Sequence, residues 1–439
     1  MRVNECYRLF SPTKRALGNQ RAITGVIGLY MRPTLKRAAG VGLTLLGLLL
    51  PCPLMAGQLF PDGAGWYREG GNWTTAAQRH LYWTTDWGAH WQDITPPIPD
   101  RYQLGEVFFL GRSSGWVFLD PLCGARNGFA HPDLQAGLKL AFTRDSGKNW
   151  TTTDVRLPDS SRHLALADGL GCVTFADAKH GWARIGFADP SYDLLLLTTK
   201  DGGRSWKSLS NDPSKSGCVR FTNAKEGWMT DPSSGSLRVW KTEDGGRSWL
   251  DVSPSVPDAF GNAFGDYGIV IENRKRVSVA AYFMPSTGDQ IRLFLTEDGG
   301  LTWKGEIALP TRGGWNHDAL GLLGSSIIRG ELSKLSREAP KQTLTLTTFT
   351  AKGLSKTQQA EAPSLPPFPE SDLPACPTEL SGLNMIDENH GWAYVRCGIT
   401  DMLFATVNAG GSWSDVSPAA VPEMTDYRFP ENNKLPCQK

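Results

Sequence analysis

No part of this 439-residue chain stays apolar for the roughly 20 residues that a membrane-crossing helix needs. Its most apolar run, Ala38–Leu50, is too short. A surplus of one charge is lacking as well. Lys and Arg total 45 against 44 Asp and Glu, a net +1, so no overall field draws the chain to nucleic acid or an anionic membrane. Metal and nucleotide signatures are also missing: there is no CxxC, no HExxH and no GxxxxGK followed by Ser or Thr. His80, His90, His131, His163 and His317 share no metal-ligand spacing. No metal or cofactor is therefore expected. What remains, with 40% apolar residues, is a globular chain able to bury a large core.

Arg32, Lys36 and Arg37 precede the apolar run, which ends in PCPLMAGQ with the small residue Ala56. A basic flank, a short apolar stretch and a small residue form a secretory signal cleaved near Ala56. The alternative, a membrane anchor, is opposed by the run's length. Met31 stands just ahead of the signal, so residues 1–30 read as an over-extended start or a long leader. Cys52 would suit a lipoprotein, but Pro51 is a poor residue before a lipidated Cys. The expected division is a leader over 1–56 and a single periplasmic or extracellular domain over 57–439. Cys123, Cys172, Cys218, Cys376, Cys397 and Cys437 then remain, and an even number in an exported chain argues for disulfides. The pair expected here is Cys376 with Cys397, which flank one predicted hairpin.

The chain repeats itself. TTDWGAHW (Thr84–Trp91), TRDSGKNW (Thr143–Trp150), TKDGGRSW (Thr199–Trp206), TEDGGRSW (Thr242–Trp249), TEDGGLTW (Thr296–Trp303) and TVNAGGSW (Thr406–Trp413) are copies of one phrase. The last gap is about twice the others, and FTAKGLSK (Phe349–Lys356) near its midpoint reads as a decayed copy. A second phrase lies upstream of most copies, as in VTFADAKHGWARIG (Val173–Gly186) and LNMIDENHGWAYV (Leu383–Val395). Each reads as an apolar strand, a polar turn and a Gly-Trp that opens a second strand. A third strand such as IRLFLTE (Ile291–Glu297) leads into the acidic phrase, and a short fourth follows it. Four short strands per unit and seven units predict an all-β, seven-bladed β-propeller of four-stranded antiparallel blades. Blade 1 looks short of an innermost strand before Trp66, so the tail 419–439, with Met424–Pro430, is expected to pair there and close the ring.

The phrase T-x-D-x-G-x-S/T-W resembles the Asp-box, or bacterial-neuraminidase repeat. Its pairing with Gly-Trp resembles propellers of the photosystem II stability/assembly-factor type. The resemblance spans about residues 58–418; three copies match fully and four depart at one or more positions. It implies Asp-box turns joining the two outer strands of each blade, away from the ligand-binding face. It also implies help in building or stabilising a membrane-associated complex from the lumenal or periplasmic side. The residue chemistry agrees with a turn: Gly supplies left-handed backbone angles, and an Asp side chain locks the loop by accepting backbone N–H groups. Trp supplies a large apolar plate. Calcium would need more oxygen side chains than DGGRSW offers. The structural positions are Asp86, Asp145, Asp201, Asp244, Asp298 and Asn408, with Trp91, Trp150, Trp206, Trp249, Trp303 and Trp413.

Five of the 16 Trp, namely Trp73, Trp83, Trp87, Trp240 and Trp315, belong to neither phrase and are the candidates for sugar platforms. A sialidase-like site would need an arginine set; the one near match to its Arg tetrapeptide is Tyr427-Arg428-Phe429-Pro430. Other glycosidases need two facing carboxylates, for which Asp189 with Asp193, or Asp258 with Asp266, are the candidates. His180 and His390 each precede Gly-Trp, yet Ser114 and Glu226 hold the same position, which marks a variable turn. Specificity is expected in the loops that differ between units: 121–137, 255–268, 329–342 and the Pro-rich 362–377. The chain therefore reads as an exported, non-catalytic propeller that binds protein partners of a membrane-associated complex. A glycan-binding propeller and a sialidase-like glycosidase are the alternatives.

Overall fold

The Gly of each Gly-Trp phrase opens a strand because nothing larger fits. A Cβ on Gly115 would lie 2.4 Å from Phe109, on Gly181 2.6 Å from Phe175, on Gly227 2.6 Å from Phe221 and on Gly391 2.2 Å from the Met385 sulfur. Each of these side chains stands at or next to the end of the preceding strand and folds back over the glycine. The computed structural model describes residues 57–418, except 69–79, 101, 127–128, 133–136, 159–169, 186–194, 215–216, 232–234, 286–287, 312–318, 334–340, 364–377 and 398–399.

Seven antiparallel sheets follow one another in chain order. Blade 1 holds β1 (Gly57–Leu59), β2 (Gly65–Arg68), β3 (Leu81–Thr84) and β4 (Gln92–Asp93). Blade 2 holds β5 (Tyr102–Leu110), β6 (Ser114–Arg126), β8 (Lys139–Thr143) and β9 (Thr151–Asp154); β7 (Phe129–Pro132) pairs with the far end of β6 as an extra hairpin in the first variable loop. Blade 3 holds β10 (Leu170–Phe175), β11 (Gly181–Ile185), β12 (Leu195–Thr199) and β13 (Lys207–Ser208). Blade 4 holds β14 (Val219–Phe221), β15 (Gly227–Asp231), β16 (Arg238–Thr242) and β17 (Leu250–Asp251). Blade 5 holds β18 (Asn262–Ile271), β19 (Val277–Met284), β20 (Gln290–Thr296) and β21 (Lys304–Pro310). Blade 6 holds β22 (Ala319–Leu323), β23 (Ser326–Leu332), β24 (Thr343–Thr350) and β25 (Gly353–Glu361). Blade 7 holds β26 (Thr378–Met385), β27 (Gly391–Cys397), β28 (Thr400–Thr406) and β29 (Ser414–Asp415). This is the all-β, seven-bladed β-propeller.

A single blade buries too little to stand alone, and the core lies between blades. Trp116 of blade 2 stacks on Phe175 of blade 3 (centroids 4.1 Å, planes 8° apart), and Trp182 of blade 3 stacks on Phe221 of blade 4 (3.4 Å, 2°). Leu59, Tyr67 and Tyr82 of blade 1 meet Trp392 and Leu403 of blade 7, which closes the ring.

Blade 1 does not lack an innermost strand. β1 fills that position and pairs with β2, Gly57 opposite Tyr67 and Leu59 opposite Gly65. Three residues suffice for an inner strand, and Gly-Gln-Leu carries no alternation that would announce it. The tail 419–439, expected as the clasp, lies outside the described residues. In blade 6 the decayed copy is a tight hairpin turn, with Thr350 opposite Gly353. Cys376 lies outside the described residues, as does the side chain of Cys397. The disulfide that is described joins Cys172 and Cys218, Cα atoms 5.5 Å apart, and staples blade 3 to blade 4.

Candidate functional site

The repeated turn has one geometry in six blades. Asp201 Oδ1 accepts from the Thr199 hydroxyl (2.8 Å) and the Ser205 amide (2.9 Å), and Oδ2 from the Ser205 hydroxyl (2.6 Å). Thr199 Oγ1 in turn accepts from the Gly203 amide (3.0 Å). Asp86, Asp145, Asp244 and Asp298 repeat the pattern. Asn408 differs in donating its amide N–H to Ser412 (2.9 Å). Side-chain and backbone donors of Asn149 hold the Asp145 carboxyl down to about 2, and those of Thr302 do the same at Asp298. At Asp86, Asp201 and Asp244 burial pushes the carboxyl up, and the turn's donors outweigh it. Carboxylates engaged in this way brace turns and are poor proton donors near neutral pH. Among the described residues no cluster of three or more His, Cys, Asp or Glu could hold a metal ion.

The tryptophans do more than pack. The indole N–H of Trp150 donates to Ile94 O (2.8 Å) and that of Trp303 to Val252 O (2.6 Å), each in the preceding blade. Trp91 donates to Val416 O (2.6 Å) across the seam between blades 1 and 7. The Gly-Trp indoles reach the other way, Trp116 to Gly202 O (3.1 Å), Trp182 to Gly245 O (3.0 Å) and Trp392 to Trp87 O (3.0 Å). Trp206 bonds within its own turn, and Trp249 and Trp413 pack without such a bond. Of the candidate sugar platforms, Trp83 is 4% exposed, Trp87 is half-buried and stacked on His390, and Trp240 packs into the seam between blades 3 and 4. Trp73 and Trp315 lie outside the described residues.

Asp189, Asp193 and Arg428 lie outside the described residues; Asp258 is exposed in a 3₁₀ turn, and Asp266 sits on β18 opposite Ala281. His180 and His390 each pair with the Asp of their own turn, Asp177 and Asp387 (both 2.8 Å). Gly111–Gly115 spells GxSxG. It forms the turn between β5 and β6, where Ser113 O accepts from the Ser146 amide, and not the strand-to-helix elbow that exposes a nucleophile.

Charge gathers instead on the first two strands of blades 1 to 4, the innermost of which line the centre of a propeller. β5 and β6 shift register between Leu104 and Val107, a bulge that frees Gly105 and Glu106 from the ladder and re-aims the side chain. Gly is required at 105, since a Cβ would lie 2.4 Å from Asp120 Oδ2, and its carbonyl accepts from Arg68. Burial raises the Glu106 carboxyl above its ordinary range, against the pull of the Arg68 and Arg220 charges. Arg220 is the middle residue of β14, and the segment ahead of it is tightly held. Arg184, 1% exposed, forks onto Asp212 (2.6 and 3.1 Å) and donates to Ser214 O (3.1 Å) and to Gly217 O. The Ser214 hydroxyl donates to the buried Asp231, and Cys218 is tied to Cys172.

Two guanidinium groups and one carboxyl of raised proton affinity, drawn from blades 1, 2 and 4, can recognise polar groups of a partner. No motif announced them. A usable signal was nonetheless present: Arg68 and Arg184 both stand two places after a Gly-Trp tryptophan, where other blades have Phe118, Thr230 and Tyr394.

No protein-family model matches the chain, and no curated protein matches it by sequence. Solved structures are similar to it in fold. They include YCF48 bound to a D1 peptide (14% identity over 73% of this chain and 83% of that one, TM-score 0.40). The GH74 enzyme of Niastella koreensis (13%, 83% and 65%, TM-score 0.35) and a PL25 ulvan lyase bound to a GlcA–Rha3S saccharide (9%, 84% and 94%, TM-score 0.49) are others. At these identities the likeness is one of fold and extends no further.

Proposed function

We propose that the protein is an exported, non-catalytic propeller that binds a protein segment and acts as an assembly or stability factor for a membrane-associated complex. The observation that carries the reading is the bulge-presented Glu106 of the innermost strand of blade 2, which lies in the field of Arg68 and Arg220. A carboxyl held at raised proton affinity beside two cations is poised for hydrogen bonding to a partner, and perturbed groups of this kind concentrate at functional sites. The buried Cys172–Cys218 bond favours an oxidising compartment, as the leader does. The resemblance in the Gly-Trp and acidic phrases motivates the class of partner.

The test uses the mature chain from Gly57, affinity-tagged and cross-linked in its own cell envelope, beside Glu106→Gln and Arg220→Ala variants whose circular dichroism matches that of the native chain. The expected result is capture of subunits of one membrane complex by the native chain and their loss in both variants. Recovery of the propeller alone, or capture indifferent to both substitutions, overturns the reading. Glycan binding or glycoside hydrolysis by the native chain would replace it.

A further inference from the structure

The net charge of +1 conceals an uneven distribution. The repeated turns all lie on one face of the ring, because each joins the third and fourth strands of its blade. At the seam between blades 2 and 3 that face is strongly basic. Arg144 and Lys148 project from the blade 2 turn, Lys200 and Arg204 from the blade 3 turn, and Lys179 from the adjacent β10–β11 turn. Arg156 and Lys207 extend the group outward. These positions are one surface: the Arg156 amide donates to Arg204 O (2.8 Å), the Gly202 amide donates to Lys179 O (2.9 Å), and Arg144 and Arg204 flank one cleft.

All seven cations are exposed, and among the described residues none forms an ion pair. The nearby acids are already committed. Asp145, Asp177 and Asp201 accept hydrogen bonds within their own turns, and Asp154 pairs with Lys139 (2.5 Å). The corresponding turns of blade 7 carry Val407, Asp387 and Glu388 and no Lys or Arg, whereas those of blades 4 and 5 carry Lys225, Arg247, Arg274, Lys275 and Arg276, of which Arg274 and Arg276 are paired with Glu226, Glu243 and Glu272.

We propose that this sector of the turn face docks on an anionic phospholipid bilayer. Shape favours that partner over a folded or extended acidic chain. The cleft between Arg144 and Arg204 has a cavity volume of about 30 Å³, far below the several hundred that shaped ligands occupy. The cations are exposed and spread over turns and strand ends around one shallow cleft, an arrangement that senses a diffuse negative surface. Such attraction fades within a Debye length and so falls with salt. The proposal is independent of the inner-strand reading, since the two involve different residues.

The experiment is co-sedimentation of the mature chain with vesicles of phosphatidylglycerol and phosphatidylcholine, and with phosphatidylcholine vesicles alone, at low and high salt. Binding is expected with the anionic vesicles only, weakening as salt rises. Lys148→Glu/Lys179→Glu/Arg204→Glu should weaken it by about tenfold or more. Lys200→Glu/Lys207→Glu serves the same purpose should the triple variant fail to fold. Lys352→Glu/Lys356→Glu, on the blade 6 hairpin, should leave binding unchanged. No binding to anionic vesicles, equal binding to neutral ones, native-like binding by the sector variants, or equal weakening in the blade 6 control overturns the proposal. So does loss of an acidic protein partner in the sector variants with vesicle binding intact.

Discussion

The indole N–H of Trp91 donates to the carbonyl of Val416 at 2.6 Å, a bond that spans 325 positions of sequence and joins the first blade to the last. Trp392 answers from the other side through Trp87 O at 3.0 Å. Closure of the ring thus runs through the same side-chain device that links blades 1 and 2 and blades 4 and 5.

Replacing Trp91 by Phe keeps a ring in the seam and removes the donor, leaving the Val416 carbonyl without it. Trp249→Phe is the matched control, because the Trp249 N–H makes no such bond. The loss at Trp91 should exceed that at Trp249 by about 1–2 kcal/mol. Urea unfolding of both variants measures the difference; equal losses would mean that the bond contributes nothing beyond packing.

Most seams were legible because their makers recur: Gly-Trp and the acidic turn sit at the same strand positions in several blades, while blade 6, which has neither intact, was legible by spacing alone. Features that occur once were not. β1 is three residues without a pattern, and the Cys172–Cys218 pair is one choice among several that spacing alone leaves equal. Glu106 lies in the field of Arg68 and Arg220 only because the ring brings blades 1, 2 and 4 towards a common centre, and a bulge takes it out of the β5 ladder. The basic sector is likewise a product of folding, assembled from turns whose charges cancel in the total.

Glu106→Gln should stabilise the protein at neutral pH. The folded carboxyl binds its proton more tightly than the unfolded one, so its ionisation opposes folding, and the cost is present in full above the folded pKa. It disappears as pH falls below the unfolded value. The variant's unfolding midpoint should therefore exceed that of the native chain at pH 7.5, and the two should converge towards pH 4. Asp145 and Asp298, held down to about 2, carry the opposite sign. Their contribution is complete above the unfolded pKa and is lost as pH falls towards 2, so Asp145→Asn should flatten the acid limb of the native profile. Parallel profiles for the native chain and Glu106→Gln would refute the first assignment.

The residue after the Asp or Asn of the turn takes a positive φ whatever its identity: Trp87 at 66°, Ser146 at 62° and Ala409 at 61°, beside Gly202, Gly245 and Gly299 at 75–79°. Side chains with a Cβ are strained in that region. Ala409→Gly should stabilise by about 0.5–1 kcal/mol, after the greater entropy of the unfolded Gly is subtracted from the relieved strain. Gly245→Ala should destabilise by more, since its Cβ would also lie 2.9 Å from Ala224 O. Thermal unfolding of the two variants should give midpoints displaced to opposite sides of the native one.

The Cys172–Cys218 bond should contribute most of all. It closes a loop across 46 positions, for which the chain-entropy argument gives about 4 kcal/mol, an upper figure because unfolded chains retain structure. Its sulfurs belong to residues only 8% and 6% exposed, so a reductant should reach them in urea and not in the folded state. Cys172 also sits at a bulge of β10 with φ 53°, a conformation that the cross-link and the neighbouring seam must hold in place. The Cys172→Ala/Cys218→Ala chain should unfold at lower urea by about 2–4 kcal/mol, and reductant should shift the native curve onto it. Because Cys218 leads directly into β14, loss of the bond should also loosen Arg220. Hydrogen exchange along 217–221 should then rise more than exchange in β27 on the far side of the ring, and uniform change in both would show that the bond acts on the whole fold alone.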